Sequence, residues 1–382
     1  MAKKKARLKI AINCWILRNK NLDGIGNFTV NAISRIIQSH PEEDFLILCD
    51  YNFTENYFDF PNVKKFHIFP SRRHPLLYVF YMEFVVGFFL KWHKADIFVS
   101  PDGFLSLMSG CAQVPVIHDL NFIHYPKDLK LKNRVYYNFF FKRFAKKAKR
   151  IATVSEFSKM DIVEQYKIPV EKIDKVFNGI NNGFHILTKD EKNAARQKYS
   201  GGVPYFFFVG SLHPRKNLVR LLAAFKEFKI TTACNFKLVV AGSMLWGKSE
   251  ITSALDEHPF KNDIYFTGRL TDSDLSQALG AAYAFTFVPV FEGFGIPIIE
   301  AFEAGVPVLT SGVSSLPEIA GTAAIYADPF NVLSIAAGMI ELYENKNDIC
   351  GILVKKGLLQ KQNFSWDKTA SLLWNCIVKA ME

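Results

Sequence analysis

Phe291-Glu-Gly-Phe-Gly-Ile-Pro-Ile-Ile-Glu300-Ala-Phe-Glu-Ala-Gly305-Val-Pro-Val-Leu-Thr310 is the stretch on which the fold turns. The apolar run Ala284-Phe-Thr-Phe-Val288 ahead of it has the length and composition of a buried strand. Gly293 and Gly295 make a loop in which backbone can come close to a ligand. Pro297 suits the first turn of a helix, Gly305 its C-cap, and residues 306–309 a following strand. The stretch is therefore strand–loop–helix–strand. Such a helix offers unbonded N–H groups and the positive end of its dipole to an anion. Glu292 lies in the loop and Glu300 about one turn into the helix, so both can face one crevice. A single glutamate is usually solvated, but this pair brackets an anion-binding turn and suits a phosphate-bearing, hydroxyl-rich ligand.

Upstream, residues 205–209 form an apolar strand, and Gly210-Ser-Leu-His-Pro-Arg215-Lys216-Asn217 leads from it into a helix. Adjacent cations at a helix N-terminus after a buried strand favour a diphosphate over solvent. Further strands are expected at 237–241 and 263–266, a helix at 274–282, and another helix start at Ser314-Ser-Leu-Pro. The N-terminal half alternates in the same way. Residues 9–17 read as a strand, followed by the glycine turn Asn21-Leu-Asp-Gly24-Ile-Gly26-Asn-Phe-Thr29 and a helix over 30–38. Strands follow at 45–49 and 65–69, then Ala95-Asp-Ile-Phe-Val-Ser-Pro-Asp102, Val114-Pro-Val-Ile-His118-Asp119 and Ile151-Ala-Thr-Val. Ser155 is the expected N-cap of the next helix. His118 sits at the carboxyl end of a strand, where doubly wound sheets place ligands. Residues 183–203 are polar and end in Ser-Gly-Gly, as a linker would. Two doubly wound, Rossmann-like α/β domains are implied, 1–182 and 204–364.

The chain's 382 residues are enough for two such domains, and 49% hydrophobic against 22% charged residues marks it as globular. Six scattered cysteines without a Cys-x-x-Cys pair argue against a metal cluster or disulfide framework and for a reducing compartment. The start, MAKKKARLKIAINCWIL, reads as a first strand; its short apolar run carries Asn13 and no small-residue cleavage site follows. Net charge is concentrated: residues 1–182 hold 28 Lys+Arg against 17 Asp+Glu, and residues 183–382 hold 19 of each. An anionic partner is therefore expected on the N-terminal side. Residues 127–150 carry ten Lys/Arg and one acid among six aromatic rings. That mixture suits an anionic phospholipid surface or a lipid-pyrophosphate carrier. Nucleic acid is not expected, because no recognition motif accompanies the charge. Residues 76–90 (LLYVFYMEFVVGFFL) are too few to span a bilayer, which takes about 20. They read as a buried helix first, or as a face laid into lipid headgroups.

Glu292, Gly293, Phe294, Gly295, Pro297, Glu300, Ala301, Gly305 and Pro307 together resemble the Glu-(seven residues)-Glu signature of family-four retaining glycosyltransferases with the GT-B fold. The bare pair is a weak mark; embedded in EGFGIPIIEAFEAGVPV it is a specific one. The resemblance covers nearly the whole chain, most clearly residues 205–328. It implies two domains facing across a cleft, with the closing helix, 365–382, completing the first. By resemblance Glu300 binds the donor's ribose and Glu292 the donor sugar, with Phe294, Gly295 and Ile296 alongside. Lys216 matches the phosphate-binding lysine, and His118 in VIHDL the sugar-contacting histidine. The glycine loop of Gly24 and Gly26 approaches the distal phosphate. Ser211 stands where relatives often carry arginine, and Arg215 supplies that charge from across the loop. Asp119, Ser155 and Ser158 would line the acceptor side or the cleft.

The expected activity is transfer of a hexosyl group, mannosyl foremost, from a nucleoside-diphosphate sugar to a glycan or lipid-linked saccharide, with retention. Pro-Arg-Lys-Asn points toward GDP-mannose as donor. No cofactor is expected, and no metal, since two cations and a helix dipole cover the diphosphate and no Asp-x-Asp motif occurs. The expected place is the cytoplasmic face of a membrane, held peripherally. Alternatives are a GT-B sugar-nucleotide epimerase, a phosphorylase, and a non-catalytic, membrane-docked protein that binds nucleotide sugar.

Overall fold

A computed structural model describes residues 7–18, 22–50, 57–68, 75–243 and 248–382. The chain divides into two compact units, Met1–Gly179 with Ser365–Glu382, and Ile180–Phe364. Each holds a parallel sheet.

In the first unit the strands are β1 (Lys9–Asn13), β2 (Asp44–Cys49), β3 (Val63–His67), β4 (Ile97–Ser100), β5 (Ala112–Ile117), β6 (Ile151–Thr153) and β7 (Ile173–Lys175). Their order is β3-β2-β1-β4-β5-β6-β7, reversing direction of travel between β1 and β4. β1 stops four residues short of the expected end, because Trp15–Arg18 turns into a 3₁₀ helix. The glycine segment also differs from expectation. Asp23 accepts a hydrogen bond from the Gly26 amide at 2.8 Å and caps a helix that already begins at Gly24. Gly24 and Gly26 thus occupy the first helical turn, since an N-cap aspartate outweighs the weak helix propensity of glycine. The expected strand 65–69 is displaced to Val63–His67, and Phe69 lies outside the described residues.

The run at 76–90 belongs to one longer helix, α-helical over Pro75–Phe80, π-helical over Tyr81–Val86 and α-helical again over Gly87–Trp92. Burial takes only one face. Tyr81, Met82, Val86 and Leu90 enter the core, while Phe84, Phe88 and Trp92 stay exposed. In the basic helix Leu131–Lys147 the opposite correction applies: Tyr136, Phe141 and Phe144 are core residues, and Phe139 is the exposed ring. Those rings pack on Phe104 and Phe122 and hold the helix to the sheet. The last helix, Trp366–Lys379, packs on this unit, with the Gly179 backbone pressed against Trp366. His40 stacks on Trp374 at 3.6 Å, and Arg35 pairs with Asp367 at 2.8 Å.

In the second unit the strands are β8 (Tyr205–Val209), β9 (Lys237–Ala241), β10 (Ile264–Gly268), β11 (Ala284–Phe287), β12 (Val308–Ser311) and β13 (Ala324–Ala327), in the order β10-β9-β8-β11-β12-β13. Tyr205, Phe206, Phe207 and Phe208 are fully buried, as expected of a central parallel strand with helices on both faces. Residues 183–203 are not a bare linker. Thr188 and Glu191 form a capping box that starts the helix Lys189–Ser200. Lys198 and Tyr199 then bind Asp274, and Arg196 donates to the Ala281 carbonyl, so the segment is part of the second unit.

Candidate functional site

Doubly wound sheets bind ligands at the carboxyl ends of their strands, where the strand order reverses. In the second unit that point lies between β8 and β11. The loop after β8 carries Arg215 and Lys216 in the 3₁₀ turn Pro214–Lys216; the loop after β11 carries Glu292. Arg215 Nη1 donates to Glu292 Oε1 at 3.0 Å and to the Phe291 carbonyl at 3.3 Å, while Lys216 Nζ pairs with the same Glu292 oxygen. The topology thus joins three of the expected catalytic residues, 76 positions apart in sequence, into one cluster. Ser211 is exposed in the same loop.

Beside this cluster the chain enters the helix Ile296–Glu303 through Gly295, at φ +104° and ψ 50°. A side chain there would be strained, and its Cβ would lie 2.8 Å from Leu316 Cδ2. Phe294 is buried against Phe364 edge-on, at 5.5 Å between ring centroids. Pro297 stands in the first turn, and Ile296 opens the helix, whose positive end is presented at this loop.

The two glutamates are buried in opposite electrostatic settings. Burial opposes ionisation of Glu292, but the charges of Lys216 and Arg215 outweigh it and hold its pKa below the ordinary value. Glu300 is equally buried, and among the described residues no cation offsets its desolvation. Desolvation pushes it up to about 7, against the hydrogen bond it accepts from Asn181 Nδ2 at 2.8 Å; the negative charge of Asp272 adds to the rise. Glu292 is a fixed anion, whereas Glu300 exchanges a proton near neutral pH.

The corresponding point of the first unit holds another kind of chemistry. Asn13 ends β1, and its Nδ2 donates to Asp102 Oδ1 at 2.8 Å and Oδ2 at 3.1 Å; Ser100 Oγ donates to the same carboxylate at 2.7 Å. His118 follows β5. Its Nε2 lies 2.8 Å from the Pro101 carbonyl, an acceptor only, so Nε2 carries the proton and Nδ1 keeps the lone pair. Burial lowers the His118 pKa, keeping the ring neutral at pH 7, and Phe28 meets it edge-on at 5.0 Å.

Several of the expected ligands have structural partners within the unit. The Gly26 amide is committed to Asp23. Asp119 Oδ1 accepts from the Asn121 amide and opens the short helix Asn121–His124. Ser155 caps its helix as expected, and Ser158 Oγ donates to the His118 carbonyl; both are buried. A cap and a buried hydroxyl are the ordinary fates of serine at a strand-to-helix turn.

Other residues that shape the site were not marked by sequence. Asn217, in the left-handed conformation, donates to the carbonyls of Val288 at 2.9 Å and Pro329 at 2.7 Å, clamping the cation loop onto the end of β11. Ser314 Oγ accepts from the Glu292 amide, and Ser315 Oγ donates to the carbonyls of Glu292 and Phe294. Asn217 could have been suspected from its place beside the cations, and Ser314 and Ser315 stand at the helix start read from sequence; Asn181 carries no local signal. Among the described residues no group of three or more His, Cys, Asp or Glu is placed to hold a metal ion.

Comparison with known proteins bears on this arrangement. Residues 189–356 match the family model described as glycosyl transferases group 1, and residues 38–183 the model for glycosyltransferase family 4. O-antigen chain mannosyltransferase B of Escherichia coli is 31% identical over 221 residues, 58% of this chain and 58% of that one. The chain therefore aligns with a little over half the length of this relative. O-antigen chain mannosyltransferase RfbU of Salmonella typhimurium is 26% identical over 70% of this chain and 71% of its own. The crystal structure of Anabaena Alr3699/HepE in complex with UDP and glucose superposes with a TM-score of 0.74 at 16% identity, covering 97% of this chain and 100% of that one.

Proposed function

The chain belongs to the group 1 glycosyltransferases of GT-B type, and from that premise we propose that it transfers a mannosyl group from GDP-mannose to a glycan or lipid-linked saccharide, with retention, in cell-surface polysaccharide synthesis. The observation that carries the proposal is the convergence of Lys216 and Arg215 on Glu292 at the switch point of the second unit. The names of the two O-antigen mannosyltransferases favour mannose and polysaccharide synthesis. The chain works at the cytoplasmic face of a membrane, where a lipid-linked acceptor is held.

The chemistry follows from charge. As the bond between the anomeric carbon and phosphate oxygen breaks, the sugar becomes cation-like and the diphosphate takes up the electron pair. Lys216, Arg215 and the dipole of the helix after Gly295 stabilise that anion without a metal. Entry of the diphosphate replaces Glu292 as partner of the two cations, and the freed carboxylate accepts hydroxyls of the donor sugar. Glu300 accepts the ribose hydroxyls. The acceptor hydroxyl attacks from the face the diphosphate leaves, forming the new carbon–oxygen bond, and its proton passes to the departing phosphate oxygen. In the first unit His118 Nδ1, the unprotonated nitrogen, is available to accept a hydrogen bond from a hydroxyl.

Release of GDP from GDP-mannose in EDTA tests the proposal. Release that depends on an added saccharide acceptor, with the α-linkage kept in the product, is the expected result. Release without acceptor would favour hydrolysis or epimerase-type chemistry, and a mannosyl adduct on Glu292 would replace the single-face step by double displacement.

A further inference from the structure

The helix spanning Pro75–Phe80, Tyr81–Val86 and Gly87–Trp92 has an unused face. Phe80, Phe84, Phe88 and Trp92 recur every four residues, which places them along one side. They are 48%, 55%, 65% and 72% exposed. Phe80 packs on Phe84 at 5.4 Å and Phe88 on Trp92 at 5.8 Å between centroids, so the rings touch one another while remaining open to solvent. The opposite side is anchored. Tyr81, Met82, Val86 and Leu90 are in the core, and the buried carboxylate of Glu83 accepts from Ser106 Oγ at 3.1 Å, the Leu107 amide at 2.9 Å and the Met108 amide at 2.8 Å. Those bonds tie a loop to the helix, and its Met108 is itself 68% exposed.

Charge decides what covers this ridge. Lys91 and Lys94 are exposed at its end. Tyr78 of the same helix meets Tyr136 of the helix Leu131–Lys147 at 5.8 Å, which brings in a surface exposing Lys132, Arg134, Lys142, Arg143, Lys146 and Lys147. Residues 75–150 hold twelve Lys/Arg against five Asp/Glu, and two of those acids, Glu83 and Asp102, are buried. A second copy of the chain would set these cations against themselves. An anionic bilayer surface satisfies both features at once: rings settle at the headgroup boundary while Lys and Arg reach lipid phosphates. Among the described residues no helix is long and apolar enough to cross a membrane, so the helix would lie in the interface plane.

We propose that the ridge Phe80–Phe84–Phe88–Trp92 is the membrane-inserting face of this protein and docks it on anionic phospholipid. The proposal rests on the membrane location given above and specifies the surface responsible. It takes up the reading of residues 76–90 as a face laid into lipid headgroups, in preference to the rings of the basic helix, three of whose six are core.

The test is co-sedimentation of the full chain with vesicles of phosphatidylcholine alone or with about 30% phosphatidylglycerol. Wild type is expected to pellet with the anionic vesicles, less so as salt rises. The triple variant Phe84→Ser/Phe88→Ser/Trp92→Ser leaves the buried face intact and is expected to bind roughly tenfold or more weakly, while keeping its nucleoside-diphosphate thermal shift. That retained shift separates failure of docking from failure of the enzymatic proposal. The docking proposal is overturned if wild type stays in the supernatant with anionic vesicles, or if the variant pellets equally well. It is also overturned if wild type is a dimer that the variant converts to monomer, for then a second copy covers the ridge.

Discussion

The two units share a strand order and differ in what they place where it reverses. At the β8/β11 point, two cations and a glutamate meet beside a helix N-terminus. At the β1/β4 point, a carboxylate is closed off by an asparagine amide and a serine hydroxyl, with a neutral histidine nearby. The first arrangement has charge to spend on an incoming anion. In the second, neutral donors from Asn13 and Ser100 hold the carboxylate in a buried hydrogen-bonded group. A common topology therefore does not carry a common task; the side chains at its switch point do.

The largest expected effect is Lys216→Ala, which should lower turnover by roughly 10²–10³-fold, the usual loss of one donor aimed at developing charge, with the fold retained. Steady-state release of nucleoside diphosphate checks it, and unchanged turnover would remove Lys216 from the mechanism. The matching cut in the first unit is Asp102→Ala. It removes the acceptor of the Ser100 hydroxyl and the two Asp102 bonds of the Asn13 amide and should cost about 1–3 kcal/mol in denaturant unfolding, with nucleoside-diphosphate affinity untouched. Loss of that affinity would break the division of labour between the units.

Glu292→Gln sharpens the comparison from inside the second unit. If the resting glutamate competes with diphosphate for Lys216 and Arg215, the neutral variant should bind free nucleoside diphosphate about tenfold more tightly, ~1.4 kcal/mol, yet turn over donor sugar more slowly. Calorimetric titration gives the sign; weaker binding would mean that Glu292 serves to position the cations. The last effect concerns Glu300. Its folded pKa of about 7 lies above the ordinary 4.5, so the folded state holds a proton that the unfolded chain releases. The associated stability is fully present below about 4.5 and is lost as pH rises through about 7. Glu300→Gln should flatten that fall in a series of melting curves across this range.

Much of this was legible because the signals are local. The strand–loop–helix–strand unit around Glu292, the cation pair after residue 209 and the Ser155 cap all rest on short-range residue chemistry. The errors came where a neighbouring element decides. Asp23 turned a supposed glycine loop into a helical first turn, although Asp-Gly-Ile-Gly could have been read as a cap and its N–H partner. Thr188-Lys-Asp-Glu191 is a capping-box pattern within what composition marks as linker. Which rings of two adjacent helices face solvent depends on their mutual packing and has no counterpart in composition; Phe141 and Phe84 look alike until Phe104 covers one of them. The Asn181–Glu300 bond joins residues 119 positions apart and was invisible for the same reason.

The central claim is that the second unit's cation cluster binds a nucleoside diphosphate. It is tested most directly by thermal shift of wild type and Lys216→Ala with UDP, GDP, ADP and CMP in EDTA. A ligand at 100 times its dissociation constant adds about 2.7 kcal/mol of stability. The expected result is a shift with GDP in wild type that shrinks in the variant. Absence of a shift with every nucleotide, or an equal shift in both proteins, would contradict it.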